Sequence, residues 1–218
     1  MTLAACPVCD SPFIRPLLKD RQGRAYHRCD SCHASLLDPA HYLPPEAELA
    51  HYRTHENDVD DPRYRAFLAR LAEPLLARLK PGSQGLDYGC GPGPALAAML
   101  REAGHDMQVY DPHFSPDSGV LDRAYDFITC TETAEHFHRP GEEFARLASM
   151  LKPGGVLAVM TMFQTDDARF EGWHYRLDPT HVVFYRSETF AIIAARLGLA
   201  CEIVAKDVAF LTRPVPRV

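Results

Sequence analysis

The chain has 218 residues, of which 46% are hydrophobic and 24% are charged, and its formal net charge is −6 at pH 7. This length suits one full domain with a small appendage, and the negative charge argues against a general attraction to nucleic acid or anionic lipid. We find no apolar run of membrane-spanning length and no signal peptide at the start, so we expect a cytoplasmic protein with reduced thiols.

Two cysteine pairs near the N-terminus predict a metal site. Cys6 and Cys9 form one C-x-x-C motif, Cys29 and Cys32 form a second, and a segment of β-hairpin length separates them. Four thiolates at this spacing suit a closed, tetrahedral and therefore structural Zn²⁺ site. A redox role would need only one such motif beside a βαβ unit, and that is not the context here. We predict a zinc ribbon over residues 1–37.

The basic residues between the two cysteine pairs leave the role of the ribbon open. The single acid among them is Asp20, and the basic residues are Arg15, Lys19, Arg21, Arg24 and Arg28. Such a surface could contact the phosphates of RNA. In an acidic chain, however, a solvated face is the simpler interpretation.

The next segment, residues 38–61, contains three prolines and predicts an irregular connector. At its end Asp61 is placed as an N-cap and Pro62 as the first helical residue. Apolar residues at helical spacing follow, so this helix should pack against a sheet at the start of a main domain, residues 62–218.

The stretch that begins at Gly85 and reads G-L-D-Y-G-C-G-P-G is the most informative in the chain. It predicts a short strand, a glycine turn and a helix that begins near Pro94, an arrangement that brings bare backbone amides and a positive helix end to a ligand. A dinucleotide-binding fingerprint would need a glycine at Pro94. The spacing present is D-x-G-x-G-x-G instead.

Three later segments continue the α/β pattern. Met107–Tyr110 predicts a strand that Asp111 closes, Tyr125–Cys130 predicts another, and an L-K-P-G-G turn at Leu151 leads into a third. Only residues 112–123 separate the first two, which is too short for both a helix and a strand, so the sheet should lack one strand or contain a very short one.

In this order the motifs resemble those of the class I S-adenosylmethionine-dependent methyltransferases, over about residues 62–213. The resemblance implies an α/β fold with a Rossmann-like, doubly wound, mostly parallel sheet and an antiparallel last strand. It also implies S-adenosyl-L-methionine as cofactor. The residues that it assigns are Gly89, Gly91 and Gly93 to the methionine part, Asp87 to support of the glycine loop, Asp111 to the ribose hydroxyls and, as a weak counterpart, Asp122 to the adenine.

The reacting groups are expected directly after the Tyr125 strand, at the carboxyl edge of the sheet. If that segment is one helical turn, Glu132, Glu135 and His136 share a face. E-x-x-E-H followed by a later T-H resembles the small-RNA 2′-O-methyltransferases and the ubiquinone-biosynthesis O-methyltransferases. This second resemblance implies that the same three residues and His181 hold Mg²⁺ or Mn²⁺, which lowers the pKa of an acceptor hydroxyl. A general base or a core histidine without a metal is an equally open interpretation.

The aromatic residues between Phe163 and Tyr185 predict a lid around a flat or apolar acceptor or a loop packed on its own rings, and both can hold because a lid needs anchors. Together the patterns predict methylation of a hydroxyl oxygen on a small molecule. A zinc-ribbon RNA methyltransferase and a sugar C-methyltransferase are the alternatives among enzymes. A non-catalytic cofactor-binding or zinc-scaffold protein is the alternative outside them.

Overall fold

The computed structural model describes residues 3–54 and 57–216, so residues 1–2, 55–56 and 217–218 of the predicted segments lie outside it. The strands are β1 (Ile14–Lys19), β2 (Ala25–Cys29), β3 (Ser35–Leu37), β4 (Gln84–Tyr88), β5 (Asp106–Tyr110), β6 (Tyr125–Thr131), β7 (Leu151–Met160), β8 (Val183–Phe184), β9 (Ala200–Ala205) and β10 (Val208–Thr212). The α-helices are α1 (Pro45–Tyr52), α2 (Pro62–Leu76), α3 (Ala95–Glu102), α4 (Pro140–Ser149) and α5 (Ser187–Leu197).

The larger sheet has the strand order β5-β4-β6-β7-β10-β9. Its first four strands are parallel, whereas β10 is antiparallel to both β7 and β9. The predicted α/β class is thereby confirmed. Between β5 and β6 the structure has a 3₁₀ helix (Ser118–Asp122) in place of a strand, because the chain there is too short for the usual crossover.

Helices cover both faces of this sheet and bury its two hydrophobic clusters. On one face α2 and α3 pack through leucines such as Leu71 and Leu100, and on the other α4 and α5 pack through Phe144 and Phe190. Burying each such side chain stabilises the fold by roughly 1.5–3 kcal/mol. Asp61 begins α2 as predicted, since its side chain accepts a hydrogen bond from the Arg63 amide at 2.8 Å. Within the described ranges, no helix combines the length and apolar character that crossing a membrane requires.

The smaller sheet joins the N-terminal segment to the main domain. Its strand order is β1-β2-β3-β8, and β8 comes from the chain just after His181. Antiparallel pairing places Ser35 opposite Phe184 and Leu36 opposite Val183. The two parts of the chain also share one hydrophobic cluster, in which Tyr26 lies with Phe184 and its neighbours.

The segment predicted to be irregular contains a helix. Residues 38–61 include the 3₁₀ turn Pro39–His41 and the two-turn helix α1. Pro45 at the first helical position is compatible with a helix start, and Glu46 and Glu48 in the first turn stabilise the positive helix end. These signals were visible in the sequence, but three prolines obscured them.

Candidate functional site

A cavity of about 650 Å³ opens at the carboxyl ends of β4, β5 and β6. This volume lies within the roughly 300–1,000 Å³ of small-molecule sites. The predicted site residues that line it are Asp87, Gly89, Gly91, Gly93, Asp111, Glu132, Glu135, His136 and His181. The fold thus brings the predicted cofactor and acceptor residues to one space. Asp122 is exposed at the end of its 3₁₀ helix and does not line the cavity.

The glycine loop, residues 89–94, forms one end of the cavity. Gly89 and Gly91 have φ angles of 76° and 63°, which a residue with a Cβ adopts only with strain. The space beside Gly89 is filled by the Thr133 side chain, and a Cβ on Gly93 would lie 1.7 Å from the carbonyl oxygen of Asn57. Two of the three glycines therefore also make room for other protein atoms, which the sequence motif did not indicate.

Two aspartates lie beside this loop, and Asp111 is bonded to it. Asp87 is buried and accepts a hydrogen bond from the Thr129 hydroxyl at 2.7 Å; burial nevertheless raises the pKa of Asp87 to about 6. Asp111 accepts from the amide of Gly91 at 3.1 Å and from the amide of His113 at 2.8 Å. Asp111 therefore ties the end of β5 to the glycine loop, with a carboxylate at the cavity wall.

Another part of the cavity lining is the acid–imidazole cluster, which consists of Glu135, His136 and His181. One ligand atom from each lies within 4.8 Å of the others. The Nδ1 atoms face backbone carbonyls, at 3.1 Å from Thr180 O for His136 and 2.7 Å from Tyr175 O for His181. A carbonyl only accepts, so Nδ1 carries the proton of each neutral ring and Nε2 carries the lone pair. Both Nε2 atoms lie 4.0 Å from Glu135 Oε1.

Glu135 is fully buried at the centre of this cluster. Its Oε1 accepts a hydrogen bond from the Tyr175 hydroxyl at 2.5 Å, and its Oε2 has no hydrogen-bond partner among the described residues. Burial raises the pKa of Glu135 above its ordinary value, and the opposing charge of His181 reduces that rise. A buried carboxylate with one unsatisfied oxygen is unfavourable, so the site gains free energy from a proton, a cation or a hydroxyl donor.

Glu132 does not join the cluster in the way the predicted helical turn required. The turn is a 3₁₀ helix that spans Ala134–His136, and Glu132 precedes it with a φ of 47°, so that prediction of a shared helical face was wrong. Glu132 lines the cavity instead. Burial and then the negative charge of Glu135 raise the pKa of Glu132. A left-handed backbone at a non-glycine residue is a strain that functional sites often retain.

The structure also adds residues that the motifs did not identify. From the connector, Glu48, Tyr52 and Asn57 line the cavity. The Tyr52 ring lies edge-on to His136, with 5.3 Å between centroids, and its hydroxyl donates to Glu48. The sequence signals were Pro45 at the helix start and the acids of the first turn, which do not reveal where the helix docks.

The aromatic rings of the loop before β8 are not among the residues that line the cavity, although Asp178 and His181 of the same loop are. Its rings pack instead on one another and on Tyr26 of β2, with centroid distances of 5.3 Å from Tyr26 to Phe170 and 5.2 Å from Phe170 to Phe184. Of the two interpretations of this loop, the structure supports packing on its own rings. Helix α1, rather than a lid from this loop, contributes Glu48 and Tyr52 to the cavity lining.

The cysteine cluster lies apart from the cavity. Cys6, Cys9, Cys29 and Cys32 are buried, and their sulfur atoms all lie within 4.8 Å of one another. The Cys6–Cys32 and Cys9–Cys29 sulfur distances are both 3.6 Å. Sulfurs of a tetrahedral zinc site are roughly 3.8 Å apart when each Zn–S bond is about 2.3 Å. The four thiols therefore fit a zinc ion.

A sequence model of the family described as "Methyltransferase domain" matches residues 36–203. The chain belongs to the class I S-adenosylmethionine-dependent methyltransferases. The matched segment contains the glycine loop, Asp87, Asp111 and the acid–imidazole cluster. No curated protein matches the methyltransferase closely enough to count as a relative.

Two solved structures share the fold of this methyltransferase. The 1,6-didemethyltoxoflavin-N1-methyltransferase of Burkholderia thailandensis, with 1,6-didemethyltoxoflavin and S-adenosylhomocysteine bound, is 18% identical with a TM-score of 0.53; 93% of this chain and 100% of that chain are covered. The magnesium protoporphyrin IX methyltransferase of Synechocystis PCC 6803, with S-adenosylhomocysteine bound, is 15% identical with a TM-score of 0.53; the coverage is 77% and 94%.

Proposed function

We propose that this methyltransferase transfers the methyl group of S-adenosylmethionine to a hydroxyl oxygen of a small molecule, with the acid–imidazole cluster holding that hydroxyl. One observation carries the proposal: two imidazole Nε2 atoms face the buried carboxylate of Glu135, in the same cavity that the glycine loop lines. Groups for the methyl donor and for the acceptor thus line one space, as transfer between them requires.

The glycine loop and α3 support a cofactor site at this part of the lining. The loop lets the backbone come close to a ligand, and the N-terminus of α3 would offer a partial positive charge to the carboxylate of the methionine part. Asp111 has lone pairs beyond those used by backbone amides and would accept from the ribose hydroxyls. Asp87 would support the loop from β4, the strand that precedes it, where Asp87 is bonded to Thr129 of β6.

In the reaction the acceptor oxygen attacks the methyl carbon, the carbon–sulfur bond breaks, and the electron pair stays on sulfur. The hydroxyl proton must leave the oxygen. Without a bound cation, the Nε2 lone pair of His181 can take the proton, because burial lowers the pKa of His181 and leaves the ring neutral near pH 7. Glu135, 4.0 Å away, would stabilise the resulting imidazolium.

The same three side chains also suit a divalent cation. Each imidazole is fixed by an Nδ1–H bond to a backbone carbonyl, which is how metal-binding histidines are commonly oriented. Two imidazoles and one carboxylate favour Mn²⁺ over Mg²⁺. We therefore propose Glu135, His136 and His181 as the ligands, with Glu132 outside the set. A bound cation would lower the pKa of the acceptor hydroxyl.

Contacts of the N-terminal basic residues favour a small molecule over RNA as the acceptor. Arg15 pairs with Asp30, Arg24 with Asp20, and Arg28 with Asp167, so these guanidinium groups are used within the protein. Arginines neutralised in this way contribute less to binding phosphates. We propose that the nearby cysteine cluster holds a structural zinc.

The test is label transfer from methyl-labelled S-adenosylmethionine to a panel of phenols, catechols and sugar hydroxyls, and to total RNA in parallel. We expect label on a small hydroxyl compound, with activity lost on chelation and restored by Mn²⁺ more than by Mg²⁺. Label on RNA and on no small molecule would show that RNA, rather than a small hydroxyl compound, is the acceptor. Activity that is indifferent to chelation would remove the cation and leave His181 as the base.

A further inference from the structure

The N-terminal hairpin, β1 and β2, reaches the acid–imidazole cluster through a buried ion pair. Asp20 follows β1, and its Oδ2 accepts from Arg176 Nη1 at 2.9 Å. The side chains are 5% and 4% exposed, so this pair is almost entirely removed from water. Arg176 also donates to the Tyr26 hydroxyl at 3.1 Å and to the carbonyl of Glu171 at 2.6 Å. The guanidinium is therefore held on several sides.

Arg176 adjoins the residue that organises the cluster. Tyr175 precedes it in the 3₁₀ helix His174–Leu177. The hydroxyl of Tyr175 donates to Glu135, and its carbonyl accepts from Nδ1 of His181. One residue thus sets both the position of the carboxylate and the tautomer of the imidazole, so a shift of this short helix would disturb both.

A second link joins β3 of the N-terminal segment to the same cluster through the backbone. The amide of Leu37, in β3, donates to the Val182 carbonyl at 2.9 Å, and the Val182 amide donates to the Glu135 carbonyl at 2.9 Å. Val182 adjoins His181 in the chain. The small sheet and the ion pair therefore hold the two sides of the cluster from the N-terminal segment.

Another ion pair between the same two parts of the chain lacks these features. Arg196 of α5 donates to Asp10 at 2.7 Å, with side chains 46% and 82% exposed. Exposed pairs contribute little to stability, and this one touches no residue of the cluster. The Asp20–Arg176 pair therefore differs from this one in being buried and in adjoining Tyr175.

We propose that Asp20 and Arg176 are positioning residues for the Glu135–Tyr175–His181 arrangement, so that the N-terminal hairpin is part of the acceptor site. The role of the basic hairpin is then to complete the site from outside the cavity. This inference rests on the proposed function in so far as the cluster handles the acceptor hydroxyl. It goes further in naming two residues that never touch that acceptor.

The test uses the full chain with Arg176→Met, Asp20→Asn and the conservative Arg176→Lys, and with Arg196→Met as the matched control. Calorimetry with S-adenosylhomocysteine measures the cofactor end. Nitrogen-15 NMR of the histidine rings, with His181 assigned from a His181→Gln spectrum, measures the Nδ1–H tautomer. Emission of Trp173, the only tryptophan of the chain, reports on the short helix because its ring lies 5.2 Å from that of Tyr175.

We expect Arg176→Met to bind S-adenosylhomocysteine within about twofold of wild type while it loses the fixed His181 tautomer, shifts Trp173 emission and lowers kcat at least tenfold. Asp20→Asn should show a smaller change of the same kind, and Arg176→Lys should recover part of the signal. Arg196→Met should match wild type in every measurement.

Two results would overturn the inference. Arg176→Met could keep the wild-type His181 signal and kcat, or it could lose cofactor affinity in proportion to the His181 signal, which would show a general structural role. Failure of the proposed function is seen separately, as wild-type protein that methylates no hydroxyl compound. The NMR and calorimetric comparison still decides the positioning role in that case.

Discussion

Two parts of the cavity lining hold their functional groups in different ways: the cofactor end, at the glycine loop, and the acceptor end, at the acid–imidazole cluster. At the cofactor end one short turn, bonded to Asp111 through the Gly91 amide, brings the backbone and the N-terminus of α3 to the cavity. At the acceptor end they are side chains from separated parts of the chain, and Glu135 depends on Tyr175, which in turn depends on the N-terminal hairpin. Binding of the cofactor is therefore a local property, whereas placement of the acceptor is a property of the whole fold.

The strongest way to break this comparison is the variant Glu135→Gln. Loss of the central charge should lower kcat by about 10³-fold, because proton transfer and orientation both depend on it. Affinity for S-adenosylhomocysteine should stay within about twofold if the two ends are separate. Label transfer measures kcat and calorimetry measures the affinity. His174→Gln is the control, because His174 is exposed and precedes Tyr175 in the chain. Equal losses at both ends would contradict the separation.

The second prediction concerns the buried acid at the cofactor end. Burial raises the pKa of Asp87 from 3.8 to about 6, so the folded state holds this proton more tightly than the unfolded state. The contribution of Asp87 to the free energy of unfolding should therefore fall between these two pH values, by about 3 kcal/mol at most, and then stay constant. Asp87→Asn should remove that fall.

Urea unfolding of cofactor-free protein at pH 4.5 and pH 7.5 measures this effect as the difference between wild type and variant. Other groups titrate in the same range, so the difference, rather than either curve, is the quantity to compare. The Asn variant should gain stability relative to wild type at the higher pH. If the difference in unfolding free energy between wild type and variant is the same at both pH values, Asp87 is not the source of the pH-dependent loss of stability.

A third prediction separates ligand contact from packing within the glycine loop. Gly93→Ala places a Cβ 1.7 Å from the Asn57 carbonyl, so the connector must move. Overpacking of this kind costs about 2 kcal/mol, which corresponds to roughly a thirtyfold loss of S-adenosylhomocysteine affinity if the loop moves in response. Calorimetry measures the loss. Gly172→Ala is the control, because a Cβ added at Gly172 would meet no atom within 4 Å. This variant should bind S-adenosylhomocysteine as wild type does.

The smallest expected effect is that of Asp122→Asn. This residue is exposed and outside the cavity lining, so cofactor affinity should change less than about twofold. A tenfold loss would show that the segment between β5 and β6 closes over the adenine when the cofactor binds. The cofactor end would then be less local than the comparison holds.

Much of the cofactor end was predictable from the sequence. The D-x-G-x-G-x-G spacing, Asp111 after the next strand and the shortened crossover before β6 all correspond to what the structure contains. Prediction worked here because a strand, a turn and a helix in sequence restrict the backbone by local geometry alone. The role of Gly93 in contact with Asn57 was missed, since that contact is not local.

At the acceptor end the sequence indicated the residue types but not their arrangement. Glu135, His136 and His181 were expected together, whereas Glu132 was wrongly placed on a shared helical face and Tyr175 was not connected with Glu135. Contacts between residues 40 or more positions apart depend on how helices and sheets pack on one another. The spacing of residues along the sequence does not reveal such contacts.

The sequence by itself determined the family, the succession of the main strands along the chain and the glycine turn, because the motifs that carry the resemblance are each local in the sequence. Only the tertiary structure decided that a helix from the connector lines the cavity and that a hairpin from the N-terminus supports Tyr175. The physical reason is that burial of Asp20 with Arg176 is favourable only when both are already packed, which a linear sequence cannot express.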